Sequence, residues 1–309
     1  MRQILVSEYL PEEHLSRLRV GFEVVYDPDL YADRPRLLEK VADAVAIFTR
    51  NRTQIDAELL AAGRKLKVVG RLGVGLDNID MEACSVAGVV VVPAVGGNAV
   101  SVAEYVIGAM LMLVRGVFTM TGSMIAGEWP RQGHAFGREL KGMTLGLVGF
   151  GSIARQVAAR AAAFEMRIVA HDPFIPSDSP AWQAVERVEL DELLAEADVV
   201  SLHTPLTEQT ANLIDWSALE KMRSSALLIN TSRGGTVDEA ALAGALRNGI
   251  IGGAALDVFA SEPLRSEGAA TFTGLTNLIL TPHIAGNTYE SVDRVARMIV
   301  AAVLEVLGD

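Results

Sequence analysis

The stretch Thr144-Leu145-Gly146-Leu147-Val148-Gly149-Phe150-Gly151-Ser152-Ile153-Ala154 decides how this sequence folds. Its first half is a short uncharged apolar run, the pattern of a strand buried on both faces. Ile153, Val157, Ala158, Ala161 and Phe164 then recur at helical spacing, which predicts a helix with those residues on its inward side. Between strand and helix, the first glycine permits a sharp turn, the second lets backbone approach a pyrophosphate, and the small third residue lets helix and strand pack closely. The same pattern also makes a tight turn that binds nothing. Asp172 ends the next apolar run 18 residues after Ala154, close to the roughly 20 expected of an acid that accepts from a ribose 2′-hydroxyl. No Arg or Lys lies in residues 172–176, so a 2′-phosphate would meet a carboxylate and no cation. NAD is expected over NADP.

Outward from this stretch, short apolar runs alternate with helix-period segments in two series, the pattern of parallel sheets with helical crossovers. Residues 4–7, 23–26, 44–48, 67–71 and 89–92 are the strands of the first, with helices such as 34–41 and 56–62 between them. Residues 144–149, 167–171, 199–203, 226–230, 254–258 and 277–280 are the strands of the second, a spacing that suits a doubly wound dinucleotide fold. The segment 101–115, apolar on nearly every side, is expected to be a buried helix, within the core or between subunits, and residues 289–307 form a closing helix.

The chain has 309 residues, about two domains at roughly 100–200 residues each. Half the residues are hydrophobic and 21% charged, which excludes a disordered or collagen-like chain. The net charge of -11 argues against nucleic acid and anionic membrane surfaces as partners. A single cysteine, Cys84, excludes an internal disulfide, a CxxC pair and a cysteine-built zinc site, and fits the reducing cytoplasm. The longest uncharged apolar stretch, residues 105–114, falls short of the ~20 residues of a membrane span, and the N-terminus has no signal-peptide pattern.

Three more segments share one form, an apolar strand ending in ionisable residues. They are Leu228-Ile229-Asn230-Thr231-Ser232-Arg233-Gly234-Gly235, Ala255-Leu256-Asp257-Val258-Phe259-Ala260-Ser261-Glu262-Pro263 and Leu280-Thr281-Pro282-His283-Ile284-Ala285-Gly286. Ligands of doubly wound folds bind beyond the C-terminal ends of the strands, so Arg233, Glu262 and His283 are expected to converge near a bound nicotinamide. Taken singly, each also reads as a surface arginine, a helix-start glutamate and a satisfied loop histidine.

With the glycine loop, these segments closely resemble the D-isomer-specific 2-hydroxyacid dehydrogenase family. The resemblance extends to Gly70-Arg71-Leu72-Gly73-Val74-Gly75-Leu76-Asp77-Asn78-Ile79-Asp80, to Asn98 with Ser101-Val102-Ala103-Glu104, and to His203-Thr204-Pro205-Leu206-Thr207. It implies an α/β architecture of two doubly wound parallel-sheet domains, with a Rossmann NAD domain (residues 98–284) inserted in a flavodoxin-like substrate domain (residues 1–97 plus 285–309). It implies a homodimer with helix 101–115 central, and a cleft that closes on a small 2-hydroxy or 2-keto acid. His283 would be the acid in reduction and the base in oxidation, Glu262 would favour its cationic form, and Arg233 would clamp the substrate carboxylate. The loop Gly73-Val74-Gly75 would hold that carboxylate through the N–H groups of Val74 and Gly75. NAD contacts would come from Gly149, Gly151, Ser152, Ile153, Asp172, His203, Thr204, Pro205, Thr210, Thr231, Asp257 and Gly286, and no metal is needed.

Arg50, Arg52 and Arg71 lie on N-terminal segments of the substrate domain. In the resemblance, the Arg50 and Arg71 positions match those that grip a substrate phosphate, and Arg131, after Trp129-Pro130, resembles one reaching from a partner subunit. Solvation or structural pairing is the alternative for each. A substrate with a second anionic end is therefore expected: 3-phosphoglycerate or 3-sulfolactate, whose S enantiomer has the spatial arrangement of a D-2-hydroxy acid. The segments Leu5-Val6-Ser7-Glu8, Tyr26-Asp27-Pro28-Asp29-Leu30 and Arg50-Asn51-Arg52-Thr53 look most like the sulfolactate-oxidising branch of the family. Hydroxypyruvate or glyoxylate reduction is an alternative, and an NAD-sensing corepressor-like binding protein is another.

Overall fold

The strand candidates form two parallel sheets in the computed structural model, which describes residues 2–116, 120–131 and 137–308. The chain divides into two units, Met1–Asn98 with Asn287–Asp309, and Ala99–Gly286. These boundaries lie one and two residues beyond the expected 97/98 and 284/285.

The first unit carries β1 (Gln3–Val6), β2 (Glu23–Tyr26), β3 (Ala44–Thr49), β4 (Val68–Arg71) and β5 (Val90–Pro93) in the order β2-β1-β3-β4-β5, the flavodoxin-like arrangement. Helices α1 (Glu12–Leu18), α2 (Arg34–Val41), α3 (Ala57–Ala62) and α4 (Met81–Val86) make the crossovers. Asp33, Asp56 and Asp80 cap the last three of these by accepting from backbone N–H groups. One face of the sheet is closed by the terminal helix Tyr289–Leu307, which packs Val295, Ala296, Ile299, Val300 and Val303 against Ile4, Val6, Phe48 and Val68. That helix begins with the Thr288 hydroxyl accepting from Ser291 N–H and ends at Gly308 in the left-handed region.

The second unit carries β6 (Thr144–Val148), β7 (Arg167–His171), β8 (Glu186–Arg187), β9 (Val199–Leu202), β10 (Leu227–Asn230), β11 (Gly253–Leu256) and β12 (Leu278–Leu280). The sheet order β12-β11-β10-β9-β6-β7-β8 is the dinucleotide-binding order extended by one edge strand. β8 was not expected: two exposed charged residues at a sheet edge leave no apolar run to read. Helices α5 (Ala99–Arg115), α6 (Thr121–Ile125), α7 (Ser152–Ala162), α8 (Leu190–Glu196), α9 (Trp216–Lys221), α10 (Glu239–Arg247) and α11 (Ser266–Ala269) complete the unit.

Helix α5 sends Val102, Ala103, Val106, Met110 and Val114 into the core of the second unit, while Glu104, Gly108 and Met112 are exposed on the single chain. One packing expectation is corrected. Phe164 is not on the inward side of α7, because the helix stops at Ala162. Its side chain is exposed, and the inward side is Ala154, Val157, Ala158 and Ala161, with Ile153 partly buried.

Candidate active site

The glycine loop and Asp172 form one hydrogen-bonded unit. Gly149 sits at φ 84° and donates its N–H to His171 O at 2.8 Å, so the chain turns sharply where β6 ends. Phe150 N–H donates to Asp172 Oδ2 at 2.9 Å, and Phe174 N–H to Asp172 Oδ1 at 3.0 Å. Each carboxylate oxygen keeps a second lone pair for a ribose hydroxyl. Gly151 is the N-cap of α7 and supplies no side chain, so the first N–H groups of that helix, at Ser152 and Ile153, point to no capping group and suit a pyrophosphate.

The ends of β9 and β10 carry the observation that tests the cofactor. The hydroxyls of Thr204 and Thr231 are both buried and have no hydrogen-bond partner. An orphaned buried hydroxyl costs about 1–3 kcal/mol, and two of them at the strand ends beside a glycine loop fit a dinucleotide that supplies the missing partners. At the end of β9, the His203 ring faces inward. Its Nε2 lies 3.0 Å from Ser201 Oγ, and burial pushes the imidazole down to about 3, so the ring is neutral and turned toward its own strand. The Thr210 hydroxyl donates to Pro205 O at 2.6 Å and accepts from Thr207 N–H at 2.7 Å, fastening the turn after Pro205. Its one hydroxyl proton is thereby engaged.

Arg233, Glu262 and His283 come together at the ends of β10, β11 and β12. Gly234 explains the approach of the first two loops, since a Cβ there would lie 1.8 Å from the backbone carbon of Phe259. Asn230 shapes the arginine loop by donating to Arg233 O at 2.9 Å and accepting from Ser232 N–H at 3.0 Å. Glu262 Oε1 accepts from Phe259 N–H at 3.1 Å, which leaves Oε2 to face His283 Nδ1 at 2.7 Å. The Glu262 hydrogen bond raises the His283 pKa above the ordinary imidazole value, and the charges of Glu262 and Asp257 add to it against burial and Arg233. Burial would raise Glu262, but His283, the Phe259 N–H and Arg233 together hold it below the ordinary carboxylate value. With Nδ1 on Glu262, Nε2 is the nitrogen that can give or take a substrate proton.

Asp257 has a part that its sequence position did not suggest. It is 1% exposed, and its carboxylate accepts from Ile284 N–H at 2.9 Å, Ala285 N–H at 2.8 Å and the Thr281 hydroxyl at 2.6 Å. Thr281 in turn is hydrogen-bonded by the Tyr105 hydroxyl from α5. His283 itself lies at φ 54°, a conformation costing roughly 1–3 kcal/mol in a non-glycine residue, and its N–H donates to Asp257 O at 2.7 Å. The buried carboxylate thus holds the loop between Thr281 and Gly286 that carries the strained histidine.

In the first unit, the loop Gly73-Val74-Gly75 follows β4. Arg71, which the resemblance gives as a grip for a substrate anion, is 8% exposed and donates Nε to Gly75 O at 2.8 Å. A Cβ on Gly73 would lie 2.1 Å from an Arg71 guanidinium nitrogen, so the glycine makes room for the arginine. Arg71 is a brace for this loop. Arg52 stacks over the Tyr31 ring, 4.9 Å from its centroid, and hydrogen-bonds the Tyr31 hydroxyl, the structural pairing that was the alternative for it. Arg50, at the end of β3, is half-buried, and its guanidinium makes no hydrogen bond among the described residues. Burial lowers its pKa against the opposing charge of Glu8. Arg131 is exposed.

The family model for the D-isomer specific 2-hydroxyacid dehydrogenase, NAD binding domain, matches residues 107–285. The chain belongs to the D-isomer-specific 2-hydroxyacid dehydrogenases. The likeness takes in both units. The chain is 52% identical over 309 residues to the (S)-sulfolactate dehydrogenase of Chromohalobacter salexigens, covering 100% of this sequence and 99% of that one. It is 39% identical over 290 residues to a D-3-phosphoglycerate dehydrogenase of Archaeoglobus fulgidus, matching across 94% of this chain and spanning about half of that longer relative, 54%. The solved TT0316 protein of Thermus thermophilus superposes with a TM-score of 0.90 at 37% identity, over 99% of this chain and 97% of that one. As a D-2-hydroxyacid dehydrogenase, the protein carries out NAD-dependent oxidoreduction, and the glycine loop, Asp172 and the two orphaned threonines lie in its NAD-binding domain.

Proposed function

We propose that this dehydrogenase interconverts (S)-3-sulfolactate and 3-sulfopyruvate. The observation that carries the substrate is Arg50, a half-buried guanidinium without a hydrogen-bond partner among the described residues, which suits an anionic group remote from the reacting carbon. The likeness to the Chromohalobacter enzyme supports sulfonate as that group. 3-Phosphoglycerate is the second reading, because a guanidinium serves a phosphate equally well.

The glycine loop, Asp172, Thr204 and Thr231 would hold NADH, whose chemistry when bound would be hydride donation for reduction of the keto acid at C2. His283, protonated under the influence of Glu262, gives its Nε2 proton to the carbonyl oxygen as negative charge develops there. In the second unit Arg233 stabilises that same oxygen, and in the first unit the N–H groups of Val74 and Gly75 suit a carboxylate. In oxidation the alcohol proton returns to neutral His283. The same reading takes the protein to be a cytoplasmic homodimer that binds neither nucleic acid nor membrane, in keeping with its net charge of -11. The exposed Gly108 and Met112 on α5 suit the subunit contact, and exposed Arg131 suits a reach to the partner's substrate.

A panel of sulfopyruvate, phosphohydroxypyruvate, hydroxypyruvate, glyoxylate and pyruvate, followed by NADH absorbance, tests this reading. The highest kcat/KM is expected for sulfopyruvate. A preference for hydroxypyruvate or glyoxylate would overturn it.

A further inference from the structure

The loop after β3 that presents Arg50 is held from within by two side chains that lie outside the proposed chemistry. Glu8 is 4% exposed and follows β1. Its Oε1 accepts from the Thr49 hydroxyl at 2.8 Å, Arg50 N–H at 2.8 Å, Arg52 N–H at 3.2 Å and Thr53 N–H at 3.0 Å. Burial would push this carboxyl up, yet those donors hold it below the ordinary value, so the group is an ionised acceptor. Asn78 works on the opposite polarity: its Nδ2 donates to Arg50 O at 3.2 Å and to Thr53 O at 2.6 Å. It lies three residues after Gly75, in the segment that the N–H of Ile55 joins by donating to Asn78 O at 2.9 Å.

We propose that Glu8 and Asn78 form a clamp that fixes Arg50 against the Gly73-Val74-Gly75 loop, and so sets the spacing at which the two anionic ends of the substrate are received. This rests on the reading of Arg50 as the remote-anion residue. One side chain satisfies the inward N–H groups of residues 50–53 and the other takes two of their carbonyls, so the backbone carrying the guanidinium has one register. A substrate with two anions needs both loops at their set separation, whereas a substrate with a single carboxylate needs only one. Glu8 acts as an acceptor, mostly through Oε1; Oε2 adds only the Arg52 N–H at 3.3 Å. A glutamine whose carbonyl takes the Oε1 place keeps that acceptor.

The experiment is the ratio of kcat/KM for sulfopyruvate to that for glyoxylate in Glu8→Ala, Glu8→Gln, Asn78→Ala and Arg50→Ala. Glu8→Ala is expected to lower the ratio roughly 10–100-fold, chiefly through KM for sulfopyruvate, as a hydrogen-bonded charged group is removed. Glu8→Gln is expected within about threefold of the parent protein, since the acceptor survives. Asn78→Ala, which leaves only carbonyls for water to reach, is expected to lower the ratio about 3–10-fold, and it carries the test if Glu8→Ala does not fold. An unchanged ratio in Asn78→Ala, or Glu8→Gln as damaging as Glu8→Ala, overturns the clamp while Arg50→Ala still lowers the ratio. An unchanged ratio in Arg50→Ala overturns the remote-anion reading itself.

Discussion

Glu262 Oε2 and His283 Nδ1 stand 2.7 Å apart, and the contact moves both groups toward charge: the imidazole pKa rises and the carboxyl pKa falls. Each therefore favours the form that the other needs. The pair fixes which ring nitrogen faces the carboxylate and leaves Nε2 as the exchanging site. In the proposed mechanism it would also set where on the pH scale the two directions of the reaction balance.

Keto acid reduction needs the imidazolium, so its kcat should hold through neutral pH and fall only as pH passes the raised His283 value. Oxidation should rise over the same interval. In Glu262→Gln the carboxylate charge is lost and only a neutral hydrogen bond remains, so both limbs should move to lower pH. Initial rates in the two directions across pH give the midpoints; unchanged midpoints would remove Glu262 from this part. His283→Ala should lose about 10²–10⁴ in turnover with NAD binding nearly unchanged.

The same shifts make a stability prediction. The His283 contribution is full below its unfolded value of 6.5 and is lost as pH rises through the raised folded value. The Glu262 contribution is full above 4.5 and is lost as pH falls through the lowered folded value. Thermal unfolding of Glu262→Gln should match the parent most closely at acid and alkaline extremes and fall furthest below it between those values.

Asp257→Ala should damage both fold and catalysis, because Ile284 and Ala285 N–H lose their buried acceptor and His283 loses the frame that holds its left-handed backbone. A loss of about 2–4 kcal/mol in denaturant unfolding is expected. Turnover should drop for all substrates alike. A stable variant with normal turnover would leave the frame without a function.

Arg71→Lys separates brace from anion receptor. A lysine cannot reproduce the guanidinium donation to Gly75 O, so the carboxylate loop should loosen and KM should rise similarly for one-anion and two-anion substrates. A selective loss on sulfopyruvate would instead support the anion-gripping part for Arg71.

Thr231→Val removes a hydroxyl that has no partner without the dinucleotide. The free protein should be as stable as the parent or slightly more so, while the NAD dissociation constant should rise about 3–10-fold. Isothermal titration with NAD, set beside thermal unfolding without it, reads both quantities. A destabilised free protein with normal NAD affinity would mean that the hydroxyl belongs to the fold.

Most of the two sheets was legible because parallel strands buried on both faces leave short apolar runs ending in glycine or polar residues. β1 to β7 and β9 to β12 fall within a residue or two of their expected places. β8 was invisible, since an edge strand of Glu186 and Arg187 buries nothing. At the site, residue type and place after a strand pointed to Arg233, Glu262 and His283, which the fold brings together. Side-chain direction was not legible. Nothing in the order of residues tells that Arg71 turns back on Gly75, that His203 faces Ser201, or that Thr210 closes a turn. The parts of Glu8 and Asn78 were not legible either, because a buried polar group that satisfies backbone has no motif of its own.

The helix Tyr289–Leu307 that closes the first sheet lies at the far end of the chain, beyond the whole of the second unit. During synthesis, residues 99–286 emerge as one contiguous stretch and can fold as soon as they clear the ribosome. The first sheet emerges earlier, yet Ile4, Val6, Phe48 and Val68 lack the cover of this helix until residues 289–307 are made. Residues 3–93 are thus translated before the second unit but complete their core after it, and removing residues 289–307 would expose apolar surface to aggregation.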